Sequence, residues 1–252
     1  MRPALLALRK IKPTGGIAHF LHLILVLVLP LAIFILVRLD FAQLALVIVV
    51  LSKWRMFAVK PRFWAANIRA NGVDLMVGLS AVVFMLHTGN IWLQAAWAVL
   101  YAVWLLAIKP GTSVLMVTAQ AFIGQFAALS ALYLVWADGP VYGLTFLSGL
   151  FCFIAARHFL DAFDEPYAKM LAYVWGYFGA ALTWLLSHWL LFYRGVAQPT
   201  LLLATLGYGL AALYYLDHYD RLSKGLRRQF IFIMLAIVLV LISFSDWGDK
   251  VV

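Results

Sequence analysis

The chain has 252 residues, of which 66% are hydrophobic and 12% charged, with a formal net charge of +9 and a mean hydropathy of +0.98. Soluble domains carry about 25% charged residues, so this composition excludes a water-soluble globular protein. It instead suits a polytopic helical membrane protein, in which basic residues gather in the loops of one side. With a single cysteine, Cys152, there is neither an intrachain disulfide nor a CxxC motif.

The N-terminal stretch MRPALLALRKIKPTGG (1–16) is basic and leads into a long apolar run without a small-residue cleavage site. It reads as an interfacial segment before an uncleaved first span. Apolar runs of about membrane-spanning length then predict nine spans: 17–37, 40–58, 73–89, 91–108, 113–136, 140–158, 169–193, 199–217 and 229–246. His19 and His22 open the first. The second has a short clean apolar part, and Lys53 and Arg55 at its end are expected to snorkel to the interface. The connection KWRMFAVKPRFWAANIRANG (53–72) mixes cations with Phe and Trp. Such a segment lies on a membrane surface, and Lys53, Arg55, Lys60 and Arg62 are its candidate headgroup-binding residues, with anionic lipids as partners. This setting makes nucleic-acid binding a poor reading of the same charges.

Asp74 begins the third span, where a carboxylate favours the positive pole of a helix. Gln120 and Gln125 in the fifth span are read as joining helices by hydrogen bonds. The sixth span runs into RHFLDAFDEPYA (157–168), which holds three of the ten acidic residues. There Arg157–Asp161 is an expected i,i+4 pair, Asp164 or Glu165 before Pro166 an expected helix start, and His158 shares a face with Asp161. His188 in the seventh span is expected to bond a backbone carbonyl near a helix end, and His87, at the outer end of the third, carries less weight as a candidate. After the eighth span, LDHYDRLSKGLRR repeats a similar set, with Asp217, His218, Asp220 and an expected Asp217–Arg221 pair.

Nine spans with the N-terminus inside place 16 of the 19 Lys and Arg residues on the cytoplasmic side and three (Arg38, Arg194 and Lys250) outside. This asymmetry supports a cytoplasmic N-terminus, an external C-terminus and residence in a cytoplasmic (inner or plasma) membrane. No part of the chain is long enough for a separate soluble domain, so residues 1–252 read as one integral membrane domain. The pairs Gly124/Ala128, Gly176/Ala180 and Gly207/Ala211 mark expected helix-packing faces. A weak repeat places Pro140 21 residues before Asp161 and Pro199 21 residues before Asp220. Evenly spaced hairpins produce such matches by chance.

Carboxylates and imidazoles on one membrane face suggest acid/base work by His158, Asp161, Asp217 and His218, or a divalent metal such as Mg²⁺ or Mn²⁺ on Asp161, Asp164, Asp217 and Asp220. The two DxxD turns resemble, in their aspartates alone, the motifs with which membrane prenyltransferases hold Mg²⁺-diphosphate. Leu160 and Leu216 stand where those motifs usually carry Asn, and the turns fall after spans six and eight, later than in that family. No ionisable residue falls near a membrane midplane and no pair of broken spans marks a midplane site, which weighs against an ion-coupled carrier. The sequence thus favours a membrane enzyme acting on a lipid or polyprenyl phosphate. A transporter or flippase, and a scaffold that recruits membrane-protein partners or forms a homo-oligomer, are the alternatives.

Overall fold

A computed structural model describes residues 16–188, 192–193 and 195–245. The N-terminal segment 1–15, Trp189, Arg194 and the segment 246–252 with Lys250 lie outside the described residues, as do the side chains of His19, His22 and Arg55. The described residues form ten α-helices: α1 (Ile17–Arg38), α2 (Ala42–Leu51), α3 (Trp64–Ala70), α4 (Gly72–Leu86), α5 (Ile91–Val103), α6 (Val114–Trp136), α7 (Val141–Asp161), α8 (Ala168–Ser187), α9 (Gln198–His218) and α10 (Lys224–Ser243). Two 3₁₀ turns, Trp54–Met56 and Pro61–Phe63, connect α2 to α3, and a π-turn, Trp104–Ile108, extends α5. A short antiparallel ladder, β1 (Phe192–Tyr193) with β2 (Val196–Ala197), joins α8 to α9.

Among the described residues, seven helical segments are long and apolar enough to cross a membrane: Ala66–Leu86, which joins α3 to α4, Ile91–Ile108, and α6 to α10. The first two expected spans correspond to shorter apolar helices, Leu23–Arg38 within α1 and Ala42–Leu51. The seventh expected span, drawn to residue 193, ends earlier, at Ser187. There Ser187 Oγ and His188 Nδ1 both donate to the Trp184 carbonyl at 2.9 and 2.8 Å. Two side-chain donors on one carbonyl satisfy a group that the helix end would otherwise leave open. His87 Nδ1 does the same to the Val83 carbonyl at 3.0 Å; the bond of His188 was expected and that of His87 was not.

The bundle has two halves. One core joins α1, α2, α4 and the α5 extension through Ile33, Val49, Val77, Val82, Met85 and Trp104. The other joins α6, α7, α9 and β2 through Leu129, Tyr133, Leu144, Cys152, Ala197 and Leu203. Large apolar side chains also cover the outside, with Leu25, Tyr177 and Phe232 each at least 69% exposed. Such a surface suits hydrocarbon and would be costly in water.

Small residues set how closely helices approach. A Cβ on Gly149 of α7 would sit 2.9 Å from Ala180 Cβ and 3.0 Å from the Gly176 carbonyl oxygen of α8. One on Gly124 would sit 2.7 Å from Val73, across the contact between α6 and α4. The Gly176/Ala180 and Gly124 faces are therefore packing seams, as small residues in lipid favour.

Candidate functional site

Alternating helix directions bring Lys53, Asp74, Lys109, Asp161, Glu165 and Asp217 to one end of the bundle, here termed the charged end. Three features are built there.

The first centres on Asp74. Its Oδ2 pairs with the ammonium groups of both Lys53 and Lys109, the latter at 2.5 Å, and its Oδ1 accepts from Trp104 Nε1 at 2.9 Å. This ties the end of α2, the start of α4 and the end of α5 at one carboxylate. The π-turn makes it possible. Residues five apart on an α-helix point roughly 140° away from each other. The Lys109 N–H instead donates to the Trp104 carbonyl at 2.8 Å, an i→i+5 bond that brings the two residues onto one face. Lys53 does not snorkel as expected: its side chain is 9% exposed.

The second is a clamp made by Gln120. Its Nε2 lies 2.7, 3.3 and 3.0 Å from the carbonyl oxygens of Ile108, Lys109 and Gly111, to which it donates. Its Oε1 is 2.9 Å from His158 Nε2. An amide oxygen only accepts, so His158 carries its proton on Nε2. The half-buried His158 thus orients Gln120, and Gln120 holds the turn that carries Lys109.

The third is a crevice between α6, α7, α8 and α9, of about 330 Å³, lined by Phe122, Phe159, Leu171, Trp175, Tyr208 and Ala211 among others. Its one buried amide, Gln125, is consumed: Nε2 donates to the Leu203 carbonyl at 3.2 Å, and Oε1 accepts from Trp175 Nε1 at 2.9 Å. At the charged end the lining includes Tyr214, whose hydroxyl donates to Glu165 Oε2. His218 lies beside it, its ring 5.0 Å from Phe163 and stacked 6.1 Å from Tyr214.

The remaining residues singled out in the sequence fall as follows. Asp161 pairs with Arg157 at 2.9 Å, as expected. Asp217 pairs with Arg227 of α10 at 3.3 Å and not with Arg221. The reason is the turn itself. Asp220 takes φ 54°, its N–H donates to the Asp217 carbonyl, and the Arg221 N–H donates to the Leu216 carbonyl at 2.8 Å. This Schellman ending removes residue 221 from the helix. Asp164 takes φ 51°, with the Glu165 N–H reaching back to the Leu160 carbonyl at 3.5 Å, and Asp40 repeats the arrangement at the end of α1 with φ 61°. In both DxxD turns the second aspartate is therefore the left-handed residue of a helix cap, a conformation Asp tolerates better than most side chains. Asp164 closes α7 and does not start α8, and Glu165 Oε1 instead accepts from the Tyr167 N–H at 3.2 Å.

Among the described residues, no three His, Cys, Asp or Glu side chains group so as to hold a metal ion. Asp161, Asp164, Asp217 and Asp220 are thus not gathered into one donor set. Glycine relieves a positive φ that aspartate only tolerates. Asp164→Gly and Asp220→Gly are therefore expected to leave stability unchanged or raise it by up to about 1 kcal/mol, while Asp164→Ala lowers it. Thermal melts of the purified variants check this; a marked loss in both glycine variants would contradict the capping role.

Of the other candidate headgroup-binding residues, Lys60 and Arg62 are exposed, and the Arg62 guanidinium lies 4.6 Å from the Phe63 ring centroid. Sequence reasoning did not single out Lys109, Trp104 or Tyr214 for the charged end. A search for the partner of Asp74 would have pointed to Lys109, since an acid entering a membrane helix requires one.

The fold and its charged end define a multi-pass helical membrane protein. The chain matches no family model, no curated protein and no solved structure.

Proposed function

We propose that the protein binds the apolar chain of a lipid or polyprenyl-phosphate substrate between α6, α7, α8 and α9, with its headgroup at the charged end. The observation that carries this reading is the crevice: about 330 Å³, aromatic and aliphatic, with its buried amide already hydrogen-bonded. That size falls within the range of small-molecule sites, about 300–1,000 Å³. At its mouth, the hydrogen-bonded Glu165–Tyr214 pair and the neighbouring His218 supply acid/base groups for a headgroup. Asp161 and Asp217, each paired with an arginine, shape the rim electrostatically. His158, bonded to Gln120, is a positioning residue. We place this mouth on the cytoplasmic side of a nine-span topology, because that arrangement gives the 16-to-3 distribution of basic residues. A flippase would use the same crevice for transit without reaction.

The test is to fill the crevice. Ala211→Phe is expected to abolish co-purification of chain-bearing lipids, identified by mass spectrometry of extracts, while the melting temperature stays within a few degrees of wild type. Unchanged lipid content in a folded variant would sink the reading. Glu165→Gln and His218→Gln then separate the two uses: both should retain lipid, and only an enzyme loses turnover.

A further inference from the structure

Around Asp74, one carboxylate holds two ammonium groups, and the charge does not balance. Lys53 and Lys109 both contact Oδ2. Among the described residues, no other carboxylate pairs with either lysine. Two positive groups and one negative group leave one positive charge in excess. Asp74 and Lys53 are 8% and 9% exposed at their side chains and offset each other, so the excess positive charge is carried at the edge of a poorly hydrated wall, by Lys109. The Tyr101 hydroxyl, on a residue 1% exposed, lies against α4 at Gly78 with no hydrogen-bond partner. The Lys109 side chain, 39% exposed, gives access from outside.

We infer that Lys53 and Lys109, held side by side by Asp74, bind the phosphate of an anionic phospholipid headgroup. Each ammonium keeps donors beyond the one that Asp74 engages, and a compact ammonium binds phosphate as a point charge. The surroundings argue for a lipid as the source. The connection that starts at Lys53 exposes Trp54 (60%), Phe57, Phe63 and Trp64 together with Lys60 and Arg62. Aromatic rings and cations interleaved in this way belong at headgroup depth, where anionic lipids concentrate. Asp74 acts as a positioning residue, keeping two like charges together. The site belongs to the α1–α5 half of the bundle and does not depend on the crevice between α6 and α9.

The experiment is native mass spectrometry of the full chain in mild detergent with equal phosphatidylglycerol and phosphatidylcholine. Wild type should retain phosphatidylglycerol by about tenfold over phosphatidylcholine, equivalent to about 1.4 kcal/mol. Lys109→Gln removes the excess charge and leaves Asp74 paired with Lys53, so the preference should fall to near unity. The Lys60→Gln/Arg62→Gln double variant should keep it, because the site is the pair at Asp74 and not a diffuse basic surface. Equal preference in wild type and Lys109→Gln, or loss only in the double variant, would overturn the inference. If Lys109→Gln does not fold, Lys109→Arg replaces it, with the preference expected to survive; its loss in a folded Lys109→Arg protein counts against the site. Adding inorganic phosphate tests the source: displacement of the lipid at millimolar phosphate would overturn the lipid assignment in favour of a soluble anion, and retention supports it. Co-purified lipid lost in Ala211→Phe but not in Lys109→Gln would separate failure here from failure of the crevice.

Discussion

Replacing Asp74 with alanine is expected to destabilise the protein by about 3 kcal/mol, the largest effect of any single substitution at the charged end. The loss strands two ammonium groups and the Trp104 indole N–H, three groups that now share one carboxylate. It also frees the end of α2 from α4 and α5. Unfolding in mixed micelles, followed by tryptophan fluorescence, measures it. The control is a charge-matched double variant, Asp74→Ala with Lys53→Met, which leaves only the more exposed Lys109 and should recover much of the loss. Equal stability of Asp74→Ala and wild type would mean that the lysines reach water on their own and the triad is incidental.

Gln120→Leu should cost about 2 kcal/mol. The leucine removes the donor shared by three carbonyls and the acceptor of His158 in one change. Those carbonyls lie at the last residue of the π-turn and just beyond it, where regular helix bonding ends. Gln120→Glu distinguishes the partners. It keeps an acceptor for His158 and loses the donors, so a loss close to that of leucine assigns the cost to the 108–111 turn. His158→Phe breaks only the other side of the clamp and should cost less than either.

How much of this was legible follows from the kind of physics involved. Hydropathy runs of membrane length found the helices, because burial in lipid depends on local composition alone. Arg157–Asp161 and the carbonyl bond of His188 were legible because each partner lies four residues away along the chain. The charged end was not. Asp74 and Lys109 are 35 residues apart, and the π-turn that aims Lys109 at the carboxylate leaves no pattern in a run of apolar residues. Gln120 was expected to join helices, but nothing in its sequence neighbourhood names His158. The DxxD turns read two ways. Aspartate suits metal binding and left-handed caps alike, and the φ angles that show the cap at Asp164 and Asp220 leave no trace in the sequence. The Asp217–Arg221 pair failed for the same reason, since the cap that ends α9 turns Arg221 away.

The last helix offers a different kind of consequence. α10 packs mainly on α9, where Met234 fills the notch left by Gly209, and only 6% of its most apolar window is buried inside the protein. It contributes little to either core. A helix so apolar, with a mean hydropathy of 2.1 over that window, partitions into a bilayer by its own composition. During synthesis the two cores have all their helices before α10 emerges. Its arrival is then a separate insertion event, governed by the lipid around it more than by the protein beside it.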